Sequence, residues 1–437
     1  MNNHSQTAAI VYLKQKLCDS IGTLCSMPRV LTKDPDRCFT RKRKIAPEVL
    51  VKTLLTIGSK SLNNELIKSF GINDDLPTES AFIQQRAKLS TGAMPRLFDM
   101  FNDRCAEFST GSLTFLACDG TSTNIPLDPS DHETYIVQPG TRGYNQAHIS
   151  ALQNVKSGEY VDMIIQGTSK NNERAALCSM LDHLKAPSLS VIMADRGYES
   201  FNVFAHAIER KAFFLIRVKD IYSNGILYGR NLPDSEFDTT LTTVLTKEQT
   251  NEAKHNPKKY TILPSETTFD YFNDDVLYYE ISFRIVRVRL DNGKYICLAT
   301  NLDPDKFPPQ KLKNLYHTRW NEETSFRQLK YIVGLSYYHS RKKDFIYQEI
   351  YAKMIMYNFC CRALSLIEII QKKHCKYEYK ANFSVAVTIL QDFLRENGEA
   401  SAVIKQITRN LIPIRPGRTA KRNVKQRFFI PYNYRPV

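Results

Sequence analysis

Ser190-Val-Ile-Met-Ala194 runs directly into Asp195-Arg196-Gly197. An apolar run of this length, closed by a turn signal, predicts a strand buried on both faces. A carboxylate stands at its carboxyl end. Leu113-Thr-Phe-Leu-Ala-Cys118, followed by Asp119-Gly120, repeats the pattern upstream. Downstream, a helix leads to a third apolar run, Ala212-Phe-Phe-Leu-Ile-Arg-Val218. Between the first two, residues 146–166 alternate on either side of Ser157-Gly158, a hairpin signal. Asn171 to Lys185 reads as a helix with Asn171 or Asn172 as its cap. Strands first, then helix and strand in alternation, predict a mixed α/β sheet.

Outward from this centre the pattern changes. Residues 1–110 read as short helices: apolar positions recur at helical spacing from Pro47 and again from Ser80, with the turn-rich Ile72-Asn-Asp-Asp-Leu-Pro77 between. The basic run Arg41-Lys-Arg-Lys44 precedes them. This region is either a DNA-binding module or a helical cap with a solvated charged edge. Residues 221–300 read as a β-rich insertion. There, Tyr278–Arg289 alternates at period two before the turn Asp291-Asn-Gly293. Helix returns from Pro308 through Lys330 and again from Phe345 to about Ile370. From Lys405 onward there are nine Lys/Arg and no Asp or Glu, a tail laid on DNA or a partner, or merely solvated. The division expected is 1–110, 111–220, 221–300, 301–345 and 346–437.

The 437 residues carry 60 Lys+Arg against 45 Asp+Glu, a net charge of +15, so polyanions are favoured partners. No apolar run approaches the roughly 18–20 residues of a membrane span. Met1–Leu17 has no basic start before an apolar core, so no secretory signal is expected. The ten cysteines form no CxxC pair, and His374-Cys375 has no matching second pair. They read as reduced thiols of a cytosolic protein, without a zinc module or disulfide framework. There is no phosphate-binding GxxxxGK[ST] loop and no GxSxG nucleophile elbow.

The chemistry concentrates in two places. Carboxylates at adjacent strand ends, where α/β sheets collect ligands, repel one another unless a hard cation such as Mg²⁺ lies between them. Asp119 and Asp195 fit that description. The second place is Leu315-Tyr-His-Thr-Arg-Trp-Asn-Glu-Glu-Thr-Ser-Phe-Arg-Gln-Leu-Lys330. In one continuous helix, Tyr316, Arg319, Glu323 and Lys330 would fall at roughly 0°, 300°, 340° and 320°. They share a stripe that Glu322 misses. A surface helix with Arg319–Glu323 and Glu323–Arg327 pairs is the plainer alternative.

The spacing Tyr316-x2-Arg319-x3-Glu323-x6-Lys330 resembles the Y-(2)-R-(3)-E-(6)-K signature of insertion-sequence transposases of the IS-four family. Asp119 in Asp-Gly-Thr and Asp195 in Asp-Arg-Gly-Tyr resemble the first two acids of that family's DDE triad. The likeness extends to Cys38–Lys44, Lys60–Leu66 and Arg415-Pro-Gly-Arg418. It implies an α/β, ribonuclease-H-like catalytic core with a β-rich insertion, an N-terminal helical domain and a C-terminal helical and basic region. It further implies cut-and-paste transposition by phosphoryl transfer. Asp119, Asp195 and Glu323 would be catalytic and hold two Mg²⁺ ions, for which Mn²⁺ can substitute. Tyr316, Arg319 and Lys330 would bind DNA. The implied partners are the double-stranded inverted-repeat ends and target DNA, with a homodimer acting in the bacterial cytoplasm, at the nucleoid, and no membrane. A nuclease without strand transfer and a catalytically silent DNA-binding protein are the other readings. Two departures stand out. Asp195-Arg-Gly-Tyr keeps the Asp-Arg opening but lacks the Glu-Ala-Asp that follows it in the family's Tn-five form. The only tryptophan, Trp320, lies outside the insertion, so a flipped base would have to be held there by a Tyr or Phe of residues 268–283.

Overall fold

A computed structural model describes residues 3–415, except 75, 107–111, 138, 140–142, 372–374 and 397, and except the side chains of 3 and 320–324. The Glu323 side chain and the tail from 416 onward therefore lie outside the described residues. The chain opens with six helices: α1 (Asn3–Cys25), α2 (Pro28–Leu31), α3 (Pro47–Thr56), α4 (Leu62–Phe70), α5 (Glu79–Arg86) and α6 (Ala93–Cys105). Pro47 opens α3, where its missing N–H costs nothing. Thr78 caps α5 by accepting the Ala81 N–H at 3.2 Å. The basic run 41–44 is an exposed loop between α2 and α3.

Strands follow: β1 (Thr114–Ile125), β2 (Tyr135–Ile136), β3 (Tyr144–Asn154), β4 (Tyr160–Gly167), then α7 (Glu173–Asp182), β5 (Ser190–Ala194), α8 (Phe201–Glu209) and β6 (Phe213–Val218). Asn172 caps α7, accepting the Ala175 N–H at 3.1 Å. Next come β7 (Phe237–Thr246), α9 (Asn251–His255), β8 (Tyr260–Ile262), β9 (Tyr278–Arg289) and β10 (Tyr295–Thr300). Gly293 adopts the left-handed φ of +80° that the turn between β9 and β10 needs. These ten strands form one sheet, ordered β2-β3-β1-β5-β6-β10-β9-β7-β8, with β4 also on β3; Tyr379–Ala381 and Leu411–Pro413 pair as a separate two-stranded sheet. β1 is antiparallel to β3 and parallel to β5, and β5 is parallel to β6. The strands of 221–300 thus extend the central sheet through the antiparallel β6–β10 pairing.

β5 explains why its sequence is apolar throughout. Ile192 and Ala194 face a core formed with α7 and α8, and Val191 and Met193 face a second core beneath α10 (Pro309–His317). The third core joins the two ends of the chain. It combines α1, α3 and α6 with α12 (Lys343–Ser365), α13 (Phe383–Leu394) and α14 (Ala400–Arg409), α11 (Asn321–Gln328) lying between α10 and α12. No described helix is long and apolar enough to cross a membrane.

Two expectations are corrected here. β1 does not end at Cys118; it continues to Ile125 because β3 pairs with it as far as Ile125. The signature is not one continuous helix either. A 3₁₀ turn over Thr318–Trp320 separates α10 from α11, and a π turn over Leu329–Val333 follows α11. The Thr318 hydroxyl donates to the Leu315 carbonyl at 2.7 Å, competing with regular winding at the first break. Gly334, at φ +94°, closes the second, where a side chain would be strained.

Candidate active site

Parallel pairing between β1 and β5 ends at Cys118 opposite Ala194. The next residue on each strand is an acid, so Asp119 and Asp195 stand side by side where the two strands part. Each is fixed in the same manner. Asp119 Oδ1 accepts the Gly120 N–H at 2.8 Å, and Asp195 Oδ1 accepts the Gly197 N–H at 2.7 Å. Burial raises the Asp119 pKa above the usual carboxylate range, and the charges of Asp195 and Glu173 push the same way. The Gly120 N–H and Arg319 oppose that shift.

Arg319 approaches from the signature segment, its Nη1 3.6 Å from Asp119 Oδ2. Its guanidinium is buried and lies 5.8 Å from the centre of the Tyr316 ring. Tyr316 itself is packed with Leu312 in the core beneath the sheet, which also raises its pKa through burial. It supports Arg319 rather than standing on the surface. α11 lies against β1, and its Ser325 hydroxyl meets the Tyr160 hydroxyl at 2.6 Å. The backbone of Glu323 belongs to this helix. Lys330 sits in the π turn, and partial burial lowers its pKa.

The sequence reading missed two neighbours of the acid pair. Glu173, in the first turn of α7, reaches both glycines that follow the acids: a Cβ on Gly120 would collide with Glu173 Oε1 and His148 Nε2, and one on Gly197 would lie 4.0 Å from Glu173 Oε2. His148 on β3 is buried, 2.9 Å from Glu173 Oε1 through Nε2 and 3.0 Å from the Ser122 hydroxyl through Nδ1. No local motif announces either residue. The only signal was Gly120 itself, since a glycine inside a strand marks a close approach.

Residues 110–359 match the family model described as the transposase DDE domain. The chain belongs to the DDE transposases. It is 23% identical over 423 residues to the transposase InsG for insertion sequence element IS4 of Escherichia coli (strain K12), which covers 90% of this chain and 88% of that protein. A solved piggyBac transposase synaptic complex with hairpin DNA aligns over 95% of this chain and 88% of that one, at 12% identity and a TM-score of 0.42. The family model and the InsG relative bear out the resemblance of the signature and the two acids to IS4-family transposases. In this transposase, Gly120→Ala should cut strand cleavage by about 100-fold or more, because the new methyl displaces Glu173 and His148 beside Asp119. The cost in stability should be only about 1–3 kcal/mol. Initial rates and urea midpoints, measured together, check this; unchanged cleavage would show that the Glu173–His148 arrangement does not matter to the acids.

Proposed function

We propose that the enzyme cuts DNA at the ends of its element and joins the freed 3′-hydroxyl to target DNA, with Asp119, Asp195 and Glu323 as its catalytic carboxylates. The observation that carries this reading is the placement of Asp119 and Asp195 beside each other where β1 and β5 part. The donor set suits hard divalent cations: two carboxylates, one of them pushed up by burial and by the other's charge, gain most from a cation between them. Mg²⁺ ions, two by the family's habit and replaceable by Mn²⁺, would be held by these carboxylates and would supply charge neutralisation for an in-line phosphoryl transfer.

The protein's own groups do the rest. The Gly120 and Gly197 amides each fix one oxygen of the acid beside them, and the other oxygen of Asp119 lies 3.6 Å from Arg319 Nη1. Arg319, held by Tyr316, balances Asp119 and lies within reach of a phosphate at the same edge. Lys330, half-buried with a lowered pKa, gains from pairing with a phosphate. Support for a ribonuclease-H-like core comes from the order β4-β3-β1-β5-β6, antiparallel on the β3 side and parallel on the other. The exposed run Arg41–Lys44 and the net charge of +15 suit contact with DNA ends and target. A homodimer, each subunit cutting the end held by the other, completes the reading.

The distinguishing experiment supplies a pre-cut element end with a free 3′-hydroxyl, Mg²⁺ and a supercoiled plasmid. Joined products are expected. Cutting of intact ends without joining would favour a nuclease.

A further inference from the structure

A second cluster lies away from the carboxylate pair, where α7, α8 and the loop before β9 meet. Cys178 on α7, His206 on α8 and Asp270 in the loop each bring one ligand atom to within 4.8 Å of the others. Cys178 and His206 are buried, and Asp270 is exposed on the solvent side. His206 Nε2 lies 2.9 Å from Asp270 Oδ2, and Nδ1 lies 3.1 Å from Asp182 Oδ1. Asn202 fixes the loop from behind: its Nδ2 donates to Asp270 Oδ2 at 2.8 Å and its Oδ1 accepts the Asp270 N–H at 2.9 Å. The same Nδ2 is 3.7 Å from Cys178 Sγ. The Tyr271 ring stands edge-on to His206 at 5.0 Å.

A neutral imidazole has one N–H and can satisfy only one of these two carboxylates. The other needs a proton or a metal ion on the ring. A proton alone makes His206 a clamp between Asp182 and Asp270 and leaves the thiol idle. A metal ion uses all three groups. Thiolate, imidazole and carboxylate together are the ligand set of zinc, at about 2.0–2.3 Å each. A carboxylate on the far nitrogen is the usual partner of a zinc-bound histidine.

We propose that Cys178, His206 and Asp270 form a zinc site, with water as the fourth ligand and Asp182 orienting the imidazole through Nδ1–H. On binding, the Cys178 thiol releases its proton to solvent, as does the His206 Nε2–H where the metal-free ring carries one, Nδ1 keeps its proton, and nothing is oxidised or reduced. The site ties the 221–300 strands to α7. The first turn of that helix carries Glu173 beside Asp119 and Asp195, so the ion would steady the catalytic edge without touching the reacting atoms.

The test uses the full chain, stripped with chelator and titrated with Co²⁺, then displaced with Zn²⁺. A sulfur-to-cobalt charge-transfer band should grow to one equivalent and vanish when Zn²⁺ is added. The catalytic carboxylates carry no sulfur ligand and give no such band. Cys178→Ser should abolish the band, and Asp270→Asn and Asp182→Asn should each weaken Co²⁺ binding about 10–100-fold. Asp270 is exposed, so its variant decides the matter if Cys178→Ser fails to fold. Absence of the band, its survival in Cys178→Ser, or unchanged affinity in Asp270→Asn would overturn the proposal.

Discussion

Asp119→Asn and Asp195→Asn should each lower strand cleavage by at least about 1,000-fold while leaving affinity for the element's ends within a few-fold of wild type. Asparagine keeps the shape and the acceptor oxygen, so the bonds from Gly120 and Gly197 survive. Only the negative charge is lost, and with it the cation-holding power of the strand edge. The two variants should differ in one respect. Asp119 is the partner of the buried Arg319, so Asp119→Asn leaves a buried cation short of its counter-charge and costs stability as well. Asp195 also helps to balance Arg319 but less than Asp119 does, so Asp195→Asn should cost less. Gel-shift affinity, urea midpoint and cleavage rate, measured on the same preparations, separate these effects. Cleavage near the wild-type rate by either variant would remove that acid from the reaction.

The second large effect lies outside the site. Glu349 is buried on α12, with Arg86 Nη1 of α5 at 2.8 Å and His339 Nδ1 at 3.1 Å. Arg86 Nε also donates to Gln348 Oε1 at 2.9 Å, and its guanidinium lies 4.6 Å from the Phe345 ring centre. Nearby, Lys353 donates to the Gly58 carbonyl at 3.2 Å. This network holds the N-terminal helices, the chain just past the π turn and α12 together. Glu349→Ala leaves Arg86 buried without a counter-charge and should cost about 3–5 kcal/mol. Replacing both partners with apolar residues, as in Arg86→Met with Glu349→Leu, should recover most of that loss. A urea midpoint unchanged by Glu349→Ala would contradict the account.

The same carboxylate sets an acid limit. Burial alone would raise its pKa, but Arg86 and His339 outweigh burial and bring it to about 2, against 4.5 for a free glutamate. A group depressed in the folded state contributes its full stability above the unfolded pKa. That contribution, about 3 kcal/mol, should fade as pH drops from about 4.5 towards 2. Glu349→Ala should flatten the wild-type slope over that window.

Short-range patterns carried much of the fold. β5, β9 with its Gly293 turn, the 157–158 hairpin and the Asn172 cap all declared themselves through periodicity or turn chemistry, which depend on near neighbours. Strand partners did not. The insertion strands join the central sheet through β6 and β10, a pairing between segments some eighty residues apart that no local pattern encodes. The signature stripe failed for a different reason. A wheel at about 100° per residue assumes uniform winding, and the 3₁₀ and π turns break it at Thr318–Trp320 and Leu329–Val333. Asp119 and Asp195 were legible because each follows an apolar run. Glu173, His148 and the Cys178–His206–Asp270 cluster were not, because folding alone brings them together.

The most direct measurement incubates linear DNA carrying the element's two intact ends with Mg²⁺ and either the wild-type enzyme or Glu323→Ala. The account predicts nicks at the element boundary and joined products from wild type, no products without Mg²⁺, and none from the variant although it still binds the ends. Boundary cleavage by Glu323→Ala at the wild-type rate would contradict it.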